Sequence, residues 1–368
     1  MNKHKYYMQQ AINLAADGIG NVGDNPSVGC VIVANDAIIG SGCTQKDGRH
    51  AETMAIADAL ENGHNLTGAT AYVTLEPCAH FGRTPPCAQA LVTAKISKIF
   101  IAVADPDPRV SGQGIKILQA AAITVETGLL EVQAKQGLLG FLSRIQTNRP
   151  YVMLKLAMSQ DGYIVRADGT SKWITSEKSR NYSHNLRAKN DAILVGIETA
   201  LADDPMLNCR QDGMQSRSPA RVVLDSDLRL KLDSKLVTTA GQIPTLIMTI
   251  KNAKNQAKIA QLKIKKVQIH FVKQHQQYLD LTQVLNILSQ HGINNLMIEG
   301  GAKTASSFID QNLVDELNLF YAPEVIGQGG KLALRQGIAN LLVAKTFTKI
   351  SEMPIDCDRL EIWQRSLA

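Results

Sequence analysis

The chain reads HAE at residues 50–52 and PCAHFGRTPPC at residues 77–87. His50, Cys78 and Cys87 in these stretches offer one imidazole and two thiolates, which are groups that Zn²⁺ prefers as ligands. Three protein ligands leave the fourth position of a tetrahedral ion open, as in catalytic rather than structural zinc sites. The two stretches therefore predict a catalytic zinc centre.

Helix signals indicate where this centre lies. Apolar residues recur at helical spacing in 51–61, so a helix is predicted to begin directly after His50. Each of the two cysteines follows a proline, which is favoured at helix starts, and a thiol at a helix N-terminus has a lowered pKa that suits metal binding. The zinc is thus expected where helix starts converge. Glu52, two residues after the histidine, is the obvious group to move protons on and off a water held there.

The order H-x-E, then P-C and a second cysteine, is the signature of zinc-dependent nucleobase deaminases. In that chemistry the metal lowers the pKa of a water molecule, which attacks an amine-bearing ring carbon while Glu52 shuttles protons. The alternative is that these are unrelated core residues. The joint presence of the histidine, both cysteines, the glutamate and both prolines argues against it.

The cysteine spacing departs from the general pattern of this signature. Nucleic-acid and nucleoside deaminases usually separate the two cysteines by two residues, whereas eight residues, 79–86, separate them here. This insert carries His80, Arg83 and Thr84, which are candidates to hold an anionic group of a substrate.

Composition limits the class of protein. A length of 368 residues is enough for two domains, and 45% apolar with 20% charged residues is typical of a soluble globular chain. No apolar run reaches 18 residues and the N-terminus lacks the apolar core of a signal peptide, so no membrane span or leader is expected. Six cysteines in such a long chain do not form a disulfide scaffold, which predicts reduced thiols and a cytoplasmic location.

The charge of the chain bears on its partners. The net charge is +6, and lysines concentrate in residues 251–266. Aromatic residues make up only 5% and do not interleave with this basic run, as a stacking platform for single-stranded nucleic acid would require. Anionic small-molecule substrates account for the charge equally well, so no nucleic-acid partner is expected. A nucleic-acid-targeting zinc deaminase with a C-terminal RNA-binding domain is the alternative.

Strand and helix signals divide the chain in two. The order up to residue 126 is β-β-α-β-α-β-α-β, which predicts a layered α/β sandwich. The polar segment QTNRP at 146–150 then marks a boundary between domains at 1–146 and 147–368. The second half again alternates strands and helices, which predicts α/β structure with a mostly parallel sheet.

The clearest feature of the second half is the sequence IEGG at 298–301, between an apolar strand and a helix. Glycines at such a turn let backbone amides approach a phosphate, and the helix N-terminus favours its negative charge. Plain structural turns have the same pattern. The segment is not a G-x-G-x-x-G fingerprint, so a Rossmann domain is not supported.

Four segments together resemble the RibD family, the bifunctional enzymes of bacterial riboflavin biosynthesis: TLEPCAHFGRTPPC at 74–87, DPDPRVSGQG at 105–114, LADDP at 201–205 and EGGAKTASSF at 299–308. The resemblance covers essentially the whole chain. It implies an N-terminal zinc deaminase with a cytidine-deaminase-like α/β/α sandwich. It also implies a C-terminal NADPH-dependent reductase with a dihydrofolate-reductase-like α/β fold.

The resemblance further implies two successive reactions. The first removes the pyrimidine amine of 2,5-diamino-6-ribosylamino-4(3H)-pyrimidinone 5′-phosphate. The second reduces the ribosyl group to ribityl and gives 5-amino-6-(5-phosphoribitylamino)uracil. The implied partner is a phosphorylated pyrimidine, without nucleic acid or membrane, and the expected assembly is a homo-oligomer, either a dimer or a tetramer.

The same resemblance implies the site residues. The zinc ligands are His50, Cys78 and Cys87, with Glu52 as the catalytic proton donor and Asn25 helping to hold the base. The NADPH contacts are Ala157, Trp173, Thr199, Asp203, Ser226, Gly301, Ala302, Lys303, Thr304, Ala305, Ser306 and Ser307. The substrate contacts are Ser171, Arg187, Leu207, Arg210 and Glu299. The two arginines suit the 5′-phosphate because guanidinium binds phosphate through paired hydrogen bonds. Asp203 is alternatively a proton relay in the reduction.

Overall fold

A computed structural model describes residues 3–79, 81, 85–107, 111–169, 174–251, 255–275, 278–343 and 346–366. The chain divides into two compact units, Met1–Arg149 and Pro150–Ala368. Among the described residues, no helix is both long enough and apolar enough to cross a bilayer.

The first unit contains α1 (Lys3–Gly18), β1 (Gly29–Ala34), β2 (Ala37–Cys43), α2 (Ala51–Glu61), β3 (Thr70–Leu75), α3 (Cys87–Thr93), β4 (Lys98–Val103), α4 (Gln113–Ala120), β5 (Thr124–Thr127) and α5 (Glu131–Thr147). Its five strands form one sheet in the order β2-β1-β3-β4-β5. β1 is antiparallel to β2 and to β3, while β3, β4 and β5 are parallel. The mixed α/β architecture predicted for this half is confirmed.

Two local features place α2 beside this sheet. Asn35 and Asp36 adopt φ of 51° and 61°, which is the left-handed backbone of a two-residue hairpin turn, and so they return the chain from β1 into β2. Gly42 in β2 lies directly against the start of α2, because a β-carbon there would collide with the backbone of Ala51 and Ala55. The start of α2, which follows His50, is thereby fixed against the sheet.

The second unit contains more elements. Its strands are β6 (Tyr151–Met158), β7 (Tyr163–Val165), β8 (Ala192–Gly196), β9 (Ala220–Leu224), β10 (Thr245–Thr249), β11 (Gln268–Phe271), β12 (Gln274–His275), β13 (Tyr278–Leu279), β14 (Asn295–Ile298), β15 (Glu316–Tyr321), β16 (Lys331–Leu332), β17 (Phe347–Ile355) and β18 (Asp358–Arg365). Its helices are α6 (Glu177–Ala188), α7 (Ile197–Asp203), α8 (Lys235–Thr238), α9 (Gln256–Ile264), α10 (Leu281–Gln290), α11 (Ala302–Asp310) and α12 (Ile338–Val343).

Nine of these strands form one sheet in the order β11-β10-β9-β8-β14-β6-β15-β18-β17, and two small ribbons, β12-β13 and β16-β7, lie outside it. In this order, neighbouring strands from β11 through β15 are all parallel. β18 and β17 then add two antiparallel strands at the edge. The mostly parallel sheet was predicted, but the hairpin β17-β18 was not. β17 exposes most of its side chains, so it lacks the apolar run that marks a buried strand.

The carboxyl ends of parallel strands meet at one edge of a sheet, which is where α/β proteins usually bind ligands. β8 leads directly into α7 and β14 leads through a short turn into α11. The turns after β8 and β14, which contain candidate binding residues, therefore lie at this edge of the sheet.

Candidate functional site

The first unit brings the three predicted metal ligands together. The ligand atoms of His50, Cys78 and Cys87 all lie within 4.8 Å of one another. His50 caps the N-terminus of α2, and Cys87 is the first residue of α3. Cys78 is not at a helix start, so that expectation is wrong for this ligand. Instead its Sγ accepts a hydrogen bond from the backbone amide of Cys87 at 3.3 Å, which holds Cys78 against the start of α3.

The geometry and the donor atoms of this cluster suit metal binding. The Nδ1 atom of His50 lies 3.2 Å from the Sγ of Cys87 and 3.5 Å from the Sγ of Cys78. The hydrogen bond between the two thiols lowers the pKa of Cys78 and raises that of Cys87. One nitrogen and two sulfur donors at this separation fit Zn²⁺ and leave one tetrahedral position for another ligand.

Glu52 lies in the first turn of α2 beside these ligands. Its side chain is buried, with 3% of the residue exposed, and its carboxyl is in hydrogen-bonding contact with the thiol of Cys87. Burial first, and the charge of Cys78 second, raise the pKa of Glu52 to about 7. A carboxyl in this position is able to exchange protons with a group held by the cluster.

A second buried glutamate supports the cysteine segment, and the sequence did not reveal it. The carboxylate of Glu76 accepts hydrogen bonds from the backbone amides of Asp105, Gly112 and Ile115 at 3.1 to 3.3 Å. Gly114 lies so close to the carbonyl of Pro77 that a β-carbon would collide with it. These contacts tie the start of α4 to the residues just before Cys78.

Other candidates of the first unit are less informative. The side-chain amide of Asn25 donates to the carbonyl of Val22 at 3.3 Å. His80, Arg83 and Thr84, the candidate anion-binding residues of the insert, lie outside the described residues.

The second unit contains a cleft of ≈ 890 Å³ at the carboxyl edge of its parallel strands. A cavity of this size accommodates a cofactor or drug-sized ligand. The predicted residues that line it are Ala157, Arg187, Thr199, Asp203, Leu207, Ser226, Glu299, Gly301, Ala302, Lys303, Thr304 and Ser307.

Small residues shape the floor of this cleft. A β-carbon at Gly196 would collide with the hydroxyl of Thr304, and the amide of Gly301 donates to the Oγ1 of Thr199 at 3.1 Å. The first turn of α11 therefore packs closely against the turn after β8, and the start of α11 faces the cleft. Backbone amides at a helix start together with Lys303 suit an anionic phosphate. The residues present thus fit a phosphorylated dinucleotide such as NADPH.

An ion cluster forms part of the cleft wall. The carboxylate of Glu299 pairs with Arg187 at 2.8 Å and with Lys155 at 3.5 Å, and all three side chains are less than one-fifth exposed. Burial alone would raise the pKa of Glu299, but the two cations outweigh burial and lower it to about 2. Glu299 is therefore a carboxylate at neutral pH. Lys155 was not predicted as a site residue, although a lysine inside an apolar strand is a usable signal.

The structure does not bring every predicted residue to the cleft. Ala305 is fully buried in the apolar core, and the hydroxyl of Ser306 accepts a hydrogen bond from the amide of Arg335 at 3.0 Å. Arg210 does not line the cleft either, but contacts His184 nearby. Ser171 and Trp173 lie outside the described residues.

Several lining residues were missed by sequence reasoning. They are charged or aromatic side chains in three settings: Glu198 in the first turn of α7, Asp225, Asp227 and Arg229 after β9, and Tyr278 and Lys331 in the strands β13 and β16 of the small ribbons. Charged residues directly after the apolar strands β8 and β9 were the available signal, because such turns meet at one sheet edge.

Comparison with known proteins gives a family match for each of the two units. The chain matches a family model described as "RibD C-terminal domain" over residues 150–355, and one described as "Cytidine and deoxycytidylate deaminase zinc-binding region" over residues 1–103. Riboflavin biosynthesis protein RibD of Actinobacillus pleuropneumoniae is 41% identical over 322 residues, which are 87% of this chain and 84% of that protein. The RibD protein of Escherichia coli is 37% identical over 356 residues, with 93% and 94% covered.

Two solved structures are similar to this chain over almost its whole length. Acinetobacter baumannii RibD, form 1, aligns over 99% of both chains with a TM-score of 0.87 and 36% identity. The diaminohydroxyphosphoribosylaminopyrimidine deaminase/5-amino-6-(5-phosphoribosylamino)uracil reductase of Thermotoga maritima aligns over 99% of both chains with a TM-score of 0.87 and 31% identity.

Proposed function

Because this chain belongs to the RibD family of bifunctional deaminases and reductases of riboflavin biosynthesis, we propose how its two sites divide that chemistry. The cluster in residues 1–149 replaces the amine of 2,5-diamino-6-ribosylamino-4(3H)-pyrimidinone 5′-phosphate with a carbonyl, using water and releasing ammonia. The cleft in residues 150–368 then reduces the ribosyl group of the product to ribityl, giving 5-amino-6-(5-phosphoribitylamino)uracil. The chain uses zinc for the first reaction and NADPH for the second.

In the deaminase, His50, Cys78 and Cys87 would hold the metal. Zinc supplies Lewis acidity there, which makes water a nucleophile at neutral pH. Glu52 would accept a proton from the attacking water and pass it to a ring nitrogen. It would then move the proton of the added hydroxyl to the amine, so that ammonia leaves as the ring carbonyl forms. Its burial beside Cys87 excludes bulk water from this proton transfer.

In the reductase, the cleft floor would hold NADPH, which supplies a hydride when bound. The amides at the start of α11, together with Lys303 and Thr199, are placed to bind a phosphate of the cofactor. Ala157 in β6 and Ser226, two residues after β9, line the same cleft and would contact the rest of the cofactor. Asp203 lines the cleft as well and is either a cofactor contact or a proton relay.

The substrate would lie beside the ion cluster. Glu299 holds Arg187 in place, with Leu207 next to it in the cleft wall. Arg187 and Arg210 are the candidates to bind the 5′-phosphate, because a planar guanidinium can offer two parallel hydrogen bonds to phosphate oxygens.

The observation that carries this proposal is the approach of His50, Cys78 and Cys87 to within 4.8 Å of one another beside a buried glutamate. Cys78→Ser should lose zinc and deamination but still oxidise NADPH when given the deaminated compound. The exposed Cys357→Ser should change neither activity. Zinc is measured by elemental analysis, and a full equivalent in Cys78→Ser would mean that the ligand set is wrong.

The alternative of a nucleic-acid-targeting deaminase with an RNA-binding second half is not favoured. The second half matches the RibD C-terminal domain over residues 150–355, and a cleft with a phosphate-type turn occupies it. A small phosphorylated substrate fits both observations.

Cellular location and assembly are further parts of the proposal. All six cysteines are free, which supports a reducing compartment such as the cytoplasm.

We also propose a homo-oligomer. β17 ends the nine-stranded sheet and exposes Ile350, and unpaired sheet edges favour pairing between copies. Light scattering of the purified chain measures its mass, and a monomer at micromolar concentration would contradict this part.

A further inference from the structure

His184, which has no part in the chemistry above, contacts an arginine of the reductase unit. It lies on α6 one turn before Arg187, and only 9% of the residue is exposed. The Nε2 atom of its ring is 3.3 Å from both the Nε and the Nη2 atoms of Arg210. The backbone amide of Arg210 is 3.3 Å from the Nδ1 atom. The ring therefore contacts both the main chain and the side chain of Arg210.

The segment around Arg210 is held against α6 by several bonds. Arg187 donates to the carbonyl of Asn208 at 3.1 Å, and the thiol of Cys209 donates to the carbonyl of His184 at 3.4 Å. Leu207, which lines the cleft, has a φ of 49°, a left-handed conformation that is costly for a leucine and persists only when neighbours enforce it. α6 thus fixes the course of the chain from Leu207 to Arg210.

The chemistry of the contact requires a neutral imidazole. Arginine has donors only, and a protonated imidazole has no acceptor, so only the neutral ring can accept a hydrogen bond from Arg210. Burial, together with the charges of Arg187 and Arg210, lowers the pKa of His184, while a hydrogen bond to the backbone of Asn208 and the charge of Glu299 oppose this effect. A lysine or arginine at position 184 would repel both arginines, and an apolar residue would leave the guanidinium of Arg210 without this partner.

We propose that His184 is a positioning residue of the reductase, which holds the guanidinium of Arg210 in the orientation that binds the phosphate of the substrate beside Arg187. This inference rests on the proposed function, in which the two arginines bind the 5′-phosphate. A phosphate bound equally in the ground state and the transition state affects KM rather than kcat. Loss of the contact should therefore raise KM for the phosphorylated substrate with little change in kcat.

Three substitutions test the role of the ring. His184→Leu removes the acceptor. His184→Asn carries an amide that is too short to reach the guanidinium, and this variant replaces His184→Leu in the test if the leucine variant does not fold. His184→Gln keeps an acceptor near the position of Nε2. The control His291→Leu makes the same chemical change at an exposed position after α10. Circular dichroism and melting temperature of the full chain check that each variant is folded.

The readout is reduction of the deaminated substrate with and without its 5′-phosphate, together with the Kd of NADPH from fluorescence. His184→Leu or His184→Asn should raise KM for the phosphorylated compound about 10- to 100-fold, the size expected for a hydrogen bond to a charged group. His184→Gln should stay close to the unaltered enzyme, as should His291→Leu. KM for the phosphate-free compound and the Kd of NADPH should not change. An equal rise for both compounds, or a fall in kcat alone, would overturn the proposal.

A double-mutant cycle separates this inference from the proposed function. If His184 acts through Arg210, the double variant His184→Leu/Arg210→Ala should have the same KM as Arg210→Ala alone. If Arg210→Ala leaves KM unchanged, then the phosphate role of Arg210 is wrong and this inference falls with it. If Arg210→Ala raises KM but the folded His184 variants do not, the role of Arg210 stands and only the role of His184 is refuted.

Discussion

Replacing Glu299 with glutamine should destabilise the reductase unit in a way that depends on pH. Glutamine keeps the shape of the side chain but not the charge that pairs with Arg187 and Lys155. The three side chains are largely buried, so solvent screens these pairs only weakly. Removing one partner also leaves the other charges of the cluster uncompensated.

The size of the effect follows from the pKa of Glu299. Burial opposes ionisation, yet the two cations lower this pKa from 4.5 to about 2. Since one pH unit corresponds to about 1.4 kcal/mol, the charged form contributes about 3 kcal/mol to the free energy of unfolding at pH 7. The folded-state pKa is the lower one, so this stabilisation is complete above pH 4.5 and is lost as the pH falls through about 2. Near pH 3 roughly half of it should remain.

Tryptophan fluorescence can follow this unit within the full chain. Both tryptophans, Trp173 and Trp363, belong to residues 150–368, so denaturant unfolding monitored at this signal reports the reductase unit. The control is Glu352→Gln, which breaks an exposed ion pair with Lys349 and should have little effect. If Glu299→Gln loses the same free energy at pH 7 and at pH 3, or no more than the control does, the account of the cluster is wrong.

Three further predictions concern the proposed sites. Glu52→Gln should keep a full equivalent of zinc while deamination falls about 10²- to 10⁴-fold, because the amide cannot carry a proton; retention of full activity would remove Glu52 from the mechanism. Gly196→Ala should raise the Kd of NADPH, because the added methyl group collides with Thr304, whereas Gly137→Ala has open space and serves as the control. A fragment of residues 147–368 should fold and reduce the deaminated substrate; a folded fragment that binds no NADPH would contradict the proposed boundary.

The candidate metal centre was largely predictable because its signals are local. The identities and order of His50, Cys78 and Cys87, and the helices that follow His50 and Cys87, are visible in the sequence. The conformation of Cys78 could not be predicted from the sequence, because contacts from a distant segment determine it. The start of α4 packs on the preceding residues through Glu76 and Gly114, and local propensity carries no information about that contact.

The reductase cleft was predictable only in part. The turn at 299–301 follows a strand and begins a helix, a pattern that short windows reveal. The partners of Glu299 are 112 and 144 residues away in the chain. A lysine in an apolar strand can mark Lys155 as a candidate, but it does not reveal that Lys155 pairs with Glu299. The role of His184 was equally hidden in the sequence, because only the folded structure shows that Arg210 lies against its ring.

The two glutamates of the candidate sites show why residue type alone does not assign a role. Two cations pair with Glu299 and keep it charged at neutral pH, so it can orient Arg187 but is poorly suited to give or take a proton. Glu52 instead contacts the thiol of Cys87, and in the described part of the chain no lysine or arginine pairs with it. A buried carboxyl without a fixed cation can change its protonation state during a reaction. The difference in partners therefore favours an anchoring role for Glu299 and a proton-transfer role for Glu52.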